Sequence, residues 1–157
     1  MRGEEWTALC ARLEAGETVD AAALDVLGDG FGSGLVGLVW DTLAWERVTA
    51  HLDVDARHHQ PHGLVHGGVW CSIVESTASV AAAVRAASAG HVVVGLNNTT
   101  DFLRAHREGR VVAAATQGDV GRSQQLWQVE IARASDGKAV ARGQVRLQSL
   151  DPAQVAS

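Results

Sequence analysis

A His-Gly-Gly sequence followed by one isolated carboxylate is the feature of this chain with the clearest chemical potential. His66, Gly67 and Gly68 precede a predicted helix over residues 69–89, which contains no Pro or Gly and ends at Gly90. The first N–H groups of a helix lack intrahelical acceptors and carry the positive end of the helix dipole. Because glycine has no Cβ, a substrate oxygen can approach those donors closely. The sequence therefore predicts an oxyanion site made from backbone N–H groups.

The carboxylate is Glu75, the only acidic residue between Arg57 and Ala89. No Lys or Arg lies three or four residues before or after it, where such residues often accompany an exposed glutamate on a helix. On the same face lie small side chains, whereas an apolar stripe that we expect to contact a sheet comprises Trp70, Ile73, Val74, Thr77, Ala81 and Val84. Two interpretations stay open: a solvated glutamate, or a catalytic base or nucleophile.

Four histidines in the loop before this helix, at positions 58, 59, 62 and 66, raise the question of a metal site. A zinc site needs three or four ligands. His62 and His66 are four residues apart and would lie on the same face only if this loop were helical. Pro61 and Gly63 disfavour a helix there. No HExxH sequence is present. We therefore expect no functional metal and no cofactor.

The order of the predicted elements indicates an α+β fold. A strand with alternating buried positions covers residues 48–54 and precedes the long helix. Four more strands follow it, over residues 91–103, 111–116, 124–133 and 139–149, and Asp136-Gly137 is a hairpin signal between the last two. One helix and an antiparallel meander predict a sheet wrapped around a central helix.

The 157 residues suit one domain, which we place at residues 35–150. Residues 1–34 precede it as a mostly peripheral helical segment, with an amphipathic stripe through Trp6, Leu9, Cys10 and Leu13 and a second short helix over 21–27. Residues 151–157 form a C-terminal tail.

Composition narrows the classes of partner and the compartment. The formal charge of −5 and the lack of clustered Lys or Arg disfavour nucleic acid. The chain has two cysteines, no secretory h-region and no run of about 18 apolar residues, so we expect no disulfide framework and no membrane span. These features favour a cytoplasmic protein.

The segment from Gly63 to Glu75 resembles the GxxHGGxxxxxxD/E signature of hotdog-fold thioesterases of the phenylacetic-acid-degradation type. Asn97–Arg104 is similar to that family's strand ending in FLR, and Asp136–Ala141 resembles its C-terminal hairpin. The likeness covers roughly residues 35–150. It implies a hotdog fold, a dimer-of-dimers assembly and hydrolysis of an acyl-CoA thioester.

Many members carry Asp at the position of Glu75. A Glu there, together with Gln60 before the glycines, is similar to the site pattern of the Arthrobacter-type 4-hydroxybenzoyl-CoA thioesterases. That likeness slightly favours an aromatic acyl group. It also implies roles: Gly67 polarises the thioester carbonyl, Gln60 and His66 line the site, and Glu75 acts as nucleophile or as base for water. The hydroxyl that orients this water would belong to Ser79, with Thr77 as the other choice.

Helix geometry independently predicts a site shared by two subunits. Gly67 and Glu75 are separated by eight residues, about 12 Å along one helix. Both must come within about 3 Å of one reacting centre. Two antiparallel helices across a two-fold axis satisfy that requirement, with one group from each subunit. We therefore expect at least a homodimer.

The anionic nucleotide end of CoA should meet cations near the surface. We assign this role to Arg104 and to Arg122 and Ser123, which lie between two strands. Each arginine is also compatible with a solvated surface position. The competing function is a non-catalytic acyl-CoA-binding protein of the same fold. A hotdog hydratase would require an Asp/His pair that the sequence does not display clearly.

Overall fold

A computed structural model describes residues 3–20, 27–28 and 30–155. These residues form two α-helices, seven strands and a few short turns of other helix types. The helices are α1 (Gly3–Glu14) and α2 (Gly67–Ala87). The strands are β1 (Val19–Asp20), β2 (Val39–Ala44), β3 (Arg47–Val54), β4 (Val92–Phe102), β5 (Gly109–Val120), β6 (Gln124–Arg133) and β7 (Ala139–Leu150).

The strands form a single antiparallel sheet in the order β1-β2-β3-β5-β6-β7-β4. Helix α2 contacts β3, β4, β5, β6 and β7, so the sheet wraps around it. The predicted α+β hotdog architecture is confirmed. Strand β4 ends the sheet and pairs only with β7, so that within the described residues its outer edge has no partner strand.

The apolar stripe of α2 explains why the helix lies across the sheet. Its six predicted members, from Trp70 to Val84, are all buried. They pack against the inward residues of the strands, among them Ala50, Val129 and Val145. Helix α2 has the length and apolar composition of a membrane span, but here that apolar surface is the packing surface of the core. Gly90, with φ of 67°, follows its C-terminal turn.

Strand β2 was not predicted, and its burial pattern shows why. Leu43 is its only fully buried residue, and Asp41 lies at a bulge where the register against β3 shifts. A bulge removes the alternation by which a strand is recognised in a sequence. The hairpin predicted at Asp136-Gly137 is confirmed, but its connection over residues 134–138 is longer than the two-residue turn that Asp-Gly indicates.

The N-terminal segment packs more closely than its sequence predicted. The helix expected through Leu9 and Leu13 is confirmed as α1, but both side chains, and Cys10 between them, join the main hydrophobic core. Val19 extends the sheet by pairing with Leu43. The second helix, expected over 21–27, falls largely outside the described residues. The division at residue 34 stays a prediction.

Leu13→Ala should destabilise the protein by about 2–5 kcal/mol, because it leaves a cavity at a side chain with no exposed surface. Urea unfolding at neutral pH measures this change. Glu14→Ala, on the exposed side of the same helix, is the matched control and should shift the free energy of unfolding by less than about 0.5 kcal/mol. Equal effects of the two variants would mean that α1 does not belong to the core.

Burial also raises the pKa of the Cys10 thiol to about 11. At pH 8 the thiolate of this residue is therefore scarce, and its sulfur is shielded from reagents. We expect native protein to release at most one equivalent of thionitrobenzoate from DTNB, through half-buried Cys71, and two equivalents in guanidinium. Two fast equivalents from native protein would contradict the packing of α1.

Candidate active site

Glu75 lies on the side of α2 that does not enter the core. It is half-buried in the wall of a groove of about 310 Å³. The groove is lined by Phe31, Cys71, Ser72, Glu75, Ser76 and Asn98. The small side chains of Cys71, Ser72 and Ser76 leave room beside the carboxylate for a substrate. This setting favours a functional glutamate over one that is merely solvated.

Asn98 holds the Glu75 carboxylate in place. Its Nδ2 donates to Glu75 Oε2 at 2.9 Å and to the Cys71 carbonyl at 3.2 Å. The amide cannot turn freely, because Thr100 Oγ1 donates to Asn98 Oδ1 at 2.7 Å. A hydrogen bond to an ionised carboxylate is stronger than one between neutral groups. The glutamate is therefore oriented by a network that begins on an adjacent strand.

A bulge in β4 accompanies this contact between strand and helix. Gly95 pairs with Leu147 and Asn97 with Arg146, so Leu96 is an extra residue on its strand. Bulges redirect side chains and are frequent beside active sites. A Cβ on Gly95 would lie 2.8 Å from Glu75 Oε1, so a larger residue there would displace the carboxylate from its present position. A glycine inside a valine-rich strand was the sequence signal for this feature.

The structure separates the two candidate hydroxyls. Ser79 lies one turn after the glutamate, with its Oγ 3.5 Å from Glu75 Oε1, at the outer limit of a hydrogen bond. Thr77 is fully buried in the core stripe, and its Oγ1 donates to the Ile73 carbonyl at 2.7 Å. Of the two candidates, the Ser79 hydroxyl therefore lies near the carboxylate, whereas the Thr77 hydroxyl is directed into the core.

Gly67 is the first residue of α2 and offers an unused donor. The side chain of His66 caps the helix by accepting the Gly68 N–H at Nδ1 (2.9 Å). The Gly67 N–H has no acceptor among residues 3–20, 27–28 and 30–155. A Cβ on Gly67 would lie 2.6 Å from the Phe102 ring, so a larger residue there would require this ring to move. This N–H is available to a substrate oxygen.

Gln60 lies beside Gly67 with its amide oriented. Its Oε1 accepts the His62 N–H at 2.8 Å, which leaves the NH₂ group without a partner in the described chain. Gln60 and Gly67 line one cavity of about 370 Å³ with Trp70, Phe102 and Arg104. The cavity thus presents a backbone donor and a side-chain donor together. His66 is placed at its helix start as a cap.

Two of the other loop histidines, His58 and His59, have structural partners. His58 is buried, accepts the Asp55 N–H at Nδ1 and donates from Nε2 to the Val36 carbonyl at 2.9 Å. His59 bonds the Arg107 carbonyl. Within the part of the chain that the structure describes, no three His, Cys, Asp or Glu residues are grouped so as to hold a metal ion.

The two halves of the predicted site are separate in one subunit. Gly67 and Gln60 line one cavity, whereas Glu75 lines a different groove. Of the residues assigned to CoA, Arg104 lines the Gly67 cavity and donates to the Ala139 carbonyl at 2.6 Å. Arg122 and Ser123 lie in the exposed turn between β5 and β6 and line neither space.

Comparisons with known proteins show the family to which the sequence is similar. The family model described as "Thioesterase superfamily" matches residues 62–140. The Mycobacterium tuberculosis protein Rv1847, named as a candidate esterase, is 45% identical over 118 residues, which are 74% of this chain and 84% of that protein. The 1,4-dihydroxy-2-naphthoyl-CoA hydrolase of Escherichia coli K12 is 34% identical over 109 residues, 69% of this chain and 79% of that protein.

A solved structure supports the fold over most of the chain. The thioesterase HI1161 from Haemophilus influenzae superposes with a TM-score of 0.77 at 29% identity, covering 86% of this chain and 93% of that one. The likeness therefore extends beyond the segment matched by the family model, into the strands on either side of α2.

Asn98→Ala should lower the turnover of a thioester by about 10–100-fold, because a hydrogen bond to a charged group contributes about 1.5–3 kcal/mol. As a positioning residue, Asn98 should affect kcat more than KM. Asn97→Ala, its exposed neighbour on β4, is the matched control and should stay near wild type. Steady-state kinetics with an acyl-CoA measure both, and equal rates in the two variants would remove Asn98 from the site.

Proposed function

We propose that this chain, which belongs to the thioesterase superfamily, hydrolyses aromatic acyl-CoA thioesters such as 4-hydroxybenzoyl-CoA to the free acid and CoA. Its homologues are named thioesterases and esterases, so the chain is a thioester hydrolase. One observation carries the mechanism: an oriented carboxylate and a free backbone donor lie on the same helix, in two separate spaces.

A homodimer would bring these two groups together. Glu75 and Gly67 are about 12 Å apart along α2, so a second, antiparallel α2 must supply the missing group. The surface at the Gly67 half-site supports such a partner: Phe102, which lines that cavity, is more than half exposed and lies on β4, whose outer edge has no partner strand in the described residues. The resemblance adds a dimer of dimers as the assembly.

The chemistry follows from where charge develops. The thioester oxygen would accept hydrogen bonds from the Gly67 N–H and the Gln60 amide of one subunit, which stabilise the negative charge formed on attack. Glu75 of the other subunit either attacks the carbonyl carbon, giving a mixed anhydride that water then hydrolyses, or takes a proton from the attacking water. In both routes the C–S bond breaks and the CoA thiolate gains a proton.

Two observations support an aromatic acyl group. Gln60 and Glu75 match the pattern of 4-hydroxybenzoyl-CoA thioesterases, and the E. coli relative is named for an aromatic acyl-CoA substrate. Arg104, which lines the Gly67 cavity, would contact the phosphates of CoA. Arg122 and Ser123, in the turn between β5 and β6, are the other residues that we assign to CoA. Two free thiols are compatible with a cytoplasmic location.

Glu75→Gln should keep the fold and the affinity for substrate but lower kcat by at least ~10³-fold, because an amide is neither base nor nucleophile. Benzoyl-, 4-hydroxybenzoyl-, phenylacetyl- and straight-chain acyl-CoAs form the substrate panel. CoA release is followed by chromatography, since Cys71 in the groove could itself react with DTNB.

Glu14→Gln, exposed on α1, is the control for a lost carboxylate and should match wild type. Near-normal turnover in Glu75→Gln would remove Glu75 from the chemistry. Faster hydrolysis of straight-chain than of aromatic substrates by wild type would overturn the acyl preference and leave the thioesterase in place.

A further inference from the structure

The segment before β2 is held by hydrogen bonds from β2 and from the loop that precedes α2. Residues Phe31–Val36 form a short π-helical turn. The buried His58 donates from Nε2 to the Val36 carbonyl at 2.9 Å, and the Trp40 indole N–H donates to Ser33 Oγ at 3.0 Å. One bond thus holds each half of the turn. This segment precedes residues 62–140, which the family model matches.

Glycine lets the turn lie close to the helix. A Cβ on Gly32 would lie 2.9 Å from Ser76 Oγ, and Ser76 is one residue after Glu75. The close packing at Gly32 places the preceding residue, Phe31, over the groove, where its ring lines the same space as Glu75 and Asn98. The ring is 60% exposed, so it is not buried in the core and can contact a ligand in the groove.

The charged residues that line the Gly67 cavity and the Glu75 groove indicate which part of the thioester, the CoA arm or the acyl arm, each would bind. The CoA arm is anionic, and Arg104 lines the cavity that holds Gly67. No Lys or Arg is among the described residues that line the groove of Glu75, where the largest side chain is the Phe31 ring. On charge, this groove suits the acyl arm, and the Phe31 ring is the largest side chain there for it to meet.

Resting on the proposed thioesterase function, we propose that Phe31 is a specificity-determining residue that packs against the acyl group and favours planar aromatic acyl chains. Two aromatic rings in offset or edge-to-face contact attract one another beyond the area they bury, and a flexible alkyl chain lacks that contribution. The preference for aromatic substrates thus depends on a residue outside the catalytic signature.

The test compares Phe31→Ala and Phe31→Leu with wild type on benzoyl-CoA and hexanoyl-CoA. Both variants should lose about tenfold in kcat/KM for benzoyl-CoA, mainly through KM, and about twofold or less for hexanoyl-CoA. Leu35→Ala is the matched control, because Leu35 is in the same turn and 69% exposed but does not line the groove. It should leave both substrates unchanged.

Equal losses for the two substrates would indicate a merely structural role and overturn the inference, as would an unchanged kcat/KM for benzoyl-CoA. In both cases hydrolysis by wild type would leave the proposed function standing. Failure of wild type to release CoA from either substrate would contradict the proposed function itself. Thermal unfolding of each variant confirms that the exposed ring can be removed without loss of fold.

Discussion

The rise of an α-helix is the constraint on which this site depends. A helix advances about 1.5 Å per residue, so Gly67 and Glu75 on α2 cannot reach the same carbonyl. The protein nevertheless positions both groups: the Gly67 N–H has no acceptor in the described part of the chain, and the Glu75 carboxylate is oriented by an amide. In the proposed dimer each subunit therefore contributes halves of two different sites, and catalysis depends on the assembly.

The rest of the fold serves to prepare these halves. The apolar stripe of α2 fixes the rotation of the helix on the sheet, which turns Glu75 away from the core. At the edge of the sheet, Gly95 and the bulge that follows it allow Asn98 to reach the carboxylate. The turn before β2 closes the other side of the groove with Phe31. Three distant parts of the chain thus meet around one glutamate.

The long helix, its glycine start and the core stripe were predictable because each depends on neighbouring residues only. The same periodicity places Thr77 in the core, which distinguishes it from Ser79 without a structure. Asn98 was not foreseen, because its contact with Glu75 depends on strand register and on a bulge at Leu96, both set by distant pairing. Strand β2 escaped prediction for a similar reason, since a bulge interrupts its alternation.

The most direct test of the shared site is complementation between two inactive variants. Glu75→Gln and Gln60→Ala are unfolded together in equal amounts and refolded, and hydrolysis of benzoyl-CoA is measured before and after mixing. If the site spans two subunits, half of the dimers contain one intact site, and about a quarter of wild-type activity returns. If both groups act within one subunit, the mixture stays as inactive as its components, and the central claim is wrong.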